Sequence, residues 1–258
     1  MAKKWVKFPW PGKAIERDAA AVKKAWARLH RGDAEALPKD ADVLAAWTAF
    51  HAGRFAEAVE TGLEAGGSGV NAAVKAQVVY ASYLEKSEKT RLAMFMEVSE
   101  RAEAQQAEEP KNPNAYYWQA YALGRYSQGI SVAKALAQGL GSKVKTALET
   151  AIKLQPRHAD AHIALGAFHA EVIDKVGSLL GRTQGASKDQ GLLMYKTALK
   201  LNPNSAIAMV EYANGLVMLE GDKKMKEAEK LYADAAAFDP ADAMERLDVE
   251  MAKAELED

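Results

Sequence analysis

Three segments of this chain repeat one arrangement. Ala151-Ile-Lys-Leu-Gln-Pro156, Ala198-Leu-Lys-Leu-Asn-Pro203 and Ala235-Ala-Ala-Phe-Asp-Pro240 each set an alanine five residues before a proline. Leu148, Tyr195 and Tyr232 each stand three residues before that alanine. Two helices that pack closely need a small side chain at their crossing and a large one beside it. A proline then stops the second helix and redirects the chain. Recurrence of such a unit specifies a stack of helix pairs, each burying its apolar face on its neighbours. Gly166 is suited to the same crossing role on a first helix.

The rest of the chain agrees with helix throughout. Alanine is abundant, and Val, Ile and Thr form no alternating run of strand length. Ala19, Val22, Trp26 and Leu29 recur at helical spacing, which predicts one helix over Gly12–Arg31. Further helices are predicted over Asp42–His51, Phe55–Ala65, Asn71–Leu84, Glu88–Glu108 and Ala115–Ser127, the last with Asn114 as its cap. Three helix pairs follow over 113–240. The first is interrupted by a Gly-rich insertion at 129–141 and the second by another at 177–187. Residues 241–258 read as a capping helix, 12–110 as less regular helices of the same solenoid, and 1–11 as an extended arm. In that arm Trp5, Phe8 and Trp10 alternate with Pro9 and Pro11.

Composition narrows the function classes. With no cysteine, disulfides, Cys-ligated zinc and thiol catalysis are excluded, and a reducing, cytoplasmic setting is expected. Lys7, Pro9 and Pro11 interrupt what would be the core of a signal peptide. No apolar run approaches the ~20 residues of a membrane span. A formal net charge of −1 gives no overall attraction to nucleic acid. Charge is nonetheless polarised: nine Lys/Arg face two acids over 1–31, and eight acids face two bases over 239–258. Solubilising ends account for this, and self-association end to end is also compatible with it.

These motifs resemble tetratricopeptide repeats. Trp118 stands where a first helix of that family begins, Leu165-Gly166 matches its Leu-Gly pair, and Gly53, Phe55 and Ala58 match the turn and start of a second helix. Gly-rich insertions between paired helices are similar to a divergent branch that includes transporter-associated accessory proteins and regulators of microtubule dynamics. Ala122-Leu123-Gly124-Arg125 and Ala159-Asp160-Ala161-His162-Ile163-Ala164-Leu165-Gly166 carry that likeness most directly. Bacterial cytosolic proteins of this repeat class are similar as well. The resemblance implies an all-α antiparallel helix-pair solenoid and a non-enzymatic scaffold for a protein or peptide, with no cofactor and no catalytic residue. First helices of such repeats face the concave surface. That points to Trp47, Phe50, Tyr116, Gln119, Tyr126, Ile163, Glu171 and Glu211 as partner-binding residues.

Two other function classes are open. The insertions at 129–141 and 177–187 can border a cavity for an apolar or anionic small molecule. His162, His169 and Glu171 share one helical region and form the best candidate for a metal-dependent site, although helical histidine spacing without further ligands is a weak metal signal. The 177–188 stretch lacks the Gly-Lys-Ser/Thr spacing and the preceding strand of a phosphate loop.

Overall fold

A computed structural model describes residues 5–12 and 15–257; the first four residues of the predicted arm lie outside the described residues. The helices are α1 (Ala19–Leu29), α2 (Ala41–His51), α3 (Phe55–Ala65), α4 (Gly69–Tyr83), α5 (Glu88–Glu108), α6 (Pro113–Gln128), α7 (Val132–Ala137) and α8 (Leu140–Leu154). They continue as α9 (Ala159–Thr183), α10 (Lys188–Leu201), α11 (Ala206–Glu220), α12 (Met225–Ala236) and α13 (Ala243–Glu257). There is no strand among the described residues. The architecture is an all-α helix-pair solenoid in which α2/α3, α4/α5, α6/α8, α9/α10 and α11/α12 are the antiparallel pairs.

Local chemistry sets the helix limits. Asp18 caps α1 by accepting from the Ala21 N–H at 2.7 Å. The helix predicted from Gly12 therefore begins at Ala19, because its cap lies at Asp18. Asn112, rather than Asn114, caps α6, and Pro113 occupies the first turn, where its missing N–H costs nothing. The insertion at 129–141 contains α7, whose cap is Ser131. The insertion at 177–187 is mostly helical: α9 runs on to Thr183 across a kink at Gly177.

The repeated alanines pack as the crossing argument requires. Ala151, Ala198 and Ala235 are fully buried. The Tyr195 ring lies between Gly166 and Gly215, where an added Cβ would come within 2.9 Å and 2.3 Å of it. Those two glycines let α9 and α11 close on one aromatic residue from α10.

The superhelix curls until its ends meet. From α13, Glu245 takes both guanidinium nitrogens of Arg28, at 2.5 and 2.9 Å. Asp242 bonds His51 at 2.6 Å, and Tyr83 donates to Asp248 at 2.5 Å. The arm docks on the same side: Trp5 stacks on Tyr80 at 4.0 Å, and Phe8 fills the space beside Gly53. The segment 30–35 crosses the interior. It reaches α2 through His30, α4 through Asp33, α6 through Glu35, and α9 through the Gly32 carbonyl.

Candidate functional site

The 30–35 segment organises a buried polar core. Lys75 donates to Asp33 at 2.7 Å, and its ammonium lies 5.0 Å from the Phe50 ring centre and 5.6 Å from those of Trp47 and Trp118. Burial opposes the charge on Lys75, but Asp33, Asp160 and Asp242 outweigh it and raise its pKa. Burial likewise opposes ionisation of Asp33, yet Lys75 and His30 hold its pKa well below the usual carboxylate range. His30 Nδ1 faces Asp33 at 3.0 Å, and His51 Nδ1 faces Asp242 at 2.6 Å. The two Nε2 atoms approach to 3.1 Å. When both Nδ1 atoms donate to their carboxylates, that contact is a hydrogen bond only if one extra proton sits between the rings. Glu35 accepts from the amides of Asn71 and Asn114, while burial and Asp33 push its pKa up to about 8.

Beside this core runs a cavity of about 180 Å³. It is bounded by α6, α7, α8 and α9, with Ile207, Glu211 and Met244 contributing from α11 and α13. One face of α9 lines it along its length: Asp160, Ile163, Ala164, Ala167, Phe168, Glu171, Val172, Lys175 and Val176. These positions follow the three-and-four spacing of a single helical stripe. From Asp160 to Val176 the stripe spans roughly 24 Å at the α-helical rise. Leu140, Val144 and Leu148 of α8 form the facing wall, and Val132 and Leu136 of α7 cover the far end.

The charged groups of the cavity are ordered. Arg125 donates to Glu211 at 3.1 Å and to Gln128 at 3.2 Å. Gln128 donates to Glu171 at 2.7 Å, and Lys175 lies 3.8 Å from the same carboxylate. Asp160 makes no side-chain hydrogen bond or ion pair among the described residues. Burial chiefly, then repulsion from Asp33, pushes its pKa up to about 7. Tyr117 also lines the cavity, and burial chiefly, then Asp160, raises its pKa well above the ordinary tyrosine value.

The residues singled out in the sequence separate into three places. Ile163, Glu171 and Glu211 line the cavity. Tyr116, Gln119 and Tyr126 line an outer trough between α5, α6 and α8. Trp47 and Phe50 are buried around Lys75. The three residues of the metal candidate have separate partners. His162 Nδ1 donates to the His158 carbonyl at 2.9 Å, His169 Nδ1 accepts from the Ser187 N–H at 3.3 Å, and Glu171 binds Gln128. Among the described residues no group of three His, Cys, Asp or Glu is placed to hold a metal ion. The residues that sequence reasoning left without a role are Lys75, Asp33, Arg125 and Asp160. A signal existed for Asp160: an acid begins an α9 stripe whose other members include Ile163, Ala164 and Phe168.

The profile of the family described as Regulator of microtubule dynamics protein 1-3 matches residues 70–257. The chain belongs to this family. The match begins at α4 and takes in every helix that walls the cavity, α13 included. A crystal structure of a thermophilic tetratricopeptide-repeat protein from Thermus thermophilus is similar in fold, with a TM-score of 0.59 and 17% identity. The likeness covers 83% of this chain and 97% of that one. No curated protein sequence matches. Among the described residues no helix is long and apolar enough to cross a membrane.

Proposed function

We propose that this chain is a non-enzymatic binding protein whose ligand enters the α6–α9 cavity with an elongated apolar part. The observation that carries this reading is the α9 stripe, which keeps Ala164 and Ala167 small where a packed core would place large side chains. Cysteine-free composition is consistent with a cytoplasmic setting. Ala167→Phe tests it. The added ring is expected to fill the cavity, keep or raise the melting temperature, and abolish binding of medium-chain alkyl compounds measured by calorimetry. Unchanged binding in a folded variant would remove the cavity from the function.

A second reading has its own support. The tetratricopeptide-like fold and the family's name both favour a protein partner, and the outer trough gathers Tyr116, Gln119 and Tyr126 with Glu100, Glu103 and Lys143. Mixed aromatic, amide and charged groups suit a peptide. A pull-down comparing wild type with Tyr116→Ala/Tyr126→Ala is expected to lose the partners held by this face. Identical partner lists would exclude it.

A further inference from the structure

Five charged side chains line the cavity: Arg125, Asp160, Glu171, Lys175 and Glu211. Four of them pair, Arg125 with Glu211 and Lys175 with Glu171. Asp160 is left over, at the opposite end of the stripe from Val176. Asp160 is half-buried and packs against Gly32, so its carboxylate borders the cavity with no protein donor to pair its charge. The start of α9 favours the ionised form, since Asp160 is the acid in its first turn. This does not supply a hydrogen bond to the carboxylate, which makes none.

The surroundings define what would complete the site. From the 30–35 segment, Asp33 faces Asp160 with like charge, and Glu245 of α13 does the same. Lys75 of α4 is the compensating cation on that side, but its close partner is Asp33 at 2.7 Å. Tyr117 of α6 adds a hydroxyl that has no hydrogen-bond partner among the described residues. The vacant requirement is a donor with positive charge, attached to something apolar that continues along Ile163, Ala164, Phe168 and Val172.

Resting on the cavity reading above, we infer that Asp160 is a head-group site for an alkyl amine: the ammonium donates to the Asp160 carboxylate and the chain lies along the α9 stripe. The other lining charges are already paired, Arg125 with Glu211 and Lys175 with Glu171, and between Asp160 and Glu171 the stripe is apolar: Ile163, Ala164, Ala167 and Phe168. Binding an ammonium favours the ionised carboxylate, so affinity rises as the pH passes upward through the value at which free Asp160 loses its proton.

The full chain is titrated calorimetrically with decylamine, decanol and decanoate, which share one tail. Wild type is expected to bind the amine about tenfold tighter than the alcohol, with the acid weakest. In Asp160→Asn the difference between amine and alcohol is expected to fall below about twofold, with the affinity for decanol retained. Equal affinities in wild type, a preference for decanoate, or an amine preference that survives in Asp160→Asn would each overturn the head-group assignment while leaving the cavity reading intact. If none of the three binds, the cavity reading fails and the inference fails with it. Should Asp160→Asn not fold, wild type alone decides. Amine affinity is expected to climb between about pH 6 and about pH 8 while decanol affinity stays level, and a level amine profile overturns the assignment.

Discussion

At the scale of single residues, Lys75 is a buried charge. Its ammonium is enclosed by three aromatic rings and satisfied by one carboxylate. A buried ion pair adds little net stability, but removing one partner leaves an uncompensated charge in a low dielectric. Lys75→Ala is therefore expected to cost about 3–5 kcal/mol in urea unfolding, and adding Asp33→Asn should recover part of that loss. A single variant close to wild type would mean that water reaches Asp33. One residue from this pair, Ala34 has φ of 50° and is the single non-glycine at positive φ among the described residues. It is held there because Asp33 and Glu35 must turn toward different helices. Ala34→Gly relieves the strain at some cost in unfolded-state entropy, so a gain of up to about 1 kcal/mol is expected from the same measurement. A loss of stability would show that the backbone at Ala34 is not strained.

At the scale of helices, α9 shows what the sequence could and could not say. The helix pairs at 113–240 were legible because Ala151, Ala198 and Ala235 mark crossings, and a crossing depends only on nearby side-chain size. The 177–187 stretch is not legible in this way, because in the sequence Gly177 reads as the start of a turn. It is a kink at φ 78° and ψ 162°, after which helix resumes. Trp47 and Phe50 were equally ambiguous, since an aromatic stripe has the same spacing whether it lines a groove or a core. What buries them is the 30–35 segment and α4, brought together from distant parts of the chain. Asp160 stands out in the sequence only through the family resemblance, because its lack of a partner depends on Asp33 taking Lys75 of the distant α4. The kink itself is testable. The conformation at Gly177 is accessible essentially to glycine alone, and no neighbour crowds its Cβ position. Gly177→Ala is thus expected to cost about 1–3 kcal/mol through the backbone, with increased amide exchange over 178–184. An unchanged melting temperature would mean that the segment after the kink re-packs freely.

At the scale of the whole molecule, closure of the superhelix brings α13 carboxylates into the interior, and this gives stability a particular pH dependence. Burial pushes Asp248 up to about 8 despite its bond from Tyr83, Glu35 up to about 8, and Asp160 up to about 7. Each acid holds its proton more tightly when folded than when unfolded. Its stabilising contribution is complete below the unfolded value near 4 and is lost as pH rises through 7 to 8. Burial lowers His30 and His158 to about 4. Their contribution is present above the unfolded histidine value and disappears as pH falls through 4. Asp33 and Asp242, both lowered, act in the same acid direction. Stability is therefore expected to peak in mildly acidic solution and to fall on both sides. Asp248→Asn separates the alkaline arm from the rest, because an amide keeps an acceptor for Tyr83 and cannot ionise. Relative to wild type it should gain steadily between about pH 5 and about pH 8, reaching a few kcal/mol at most, and stay parallel below about pH 4. Thermal unfolding across that range checks it. Curves that remain parallel above about pH 7 would show that Asp248 ionises without disturbing α13, and that the two ends of the solenoid are held together by Arg28–Glu245 and the apolar contacts of Ala243 and Leu247 instead.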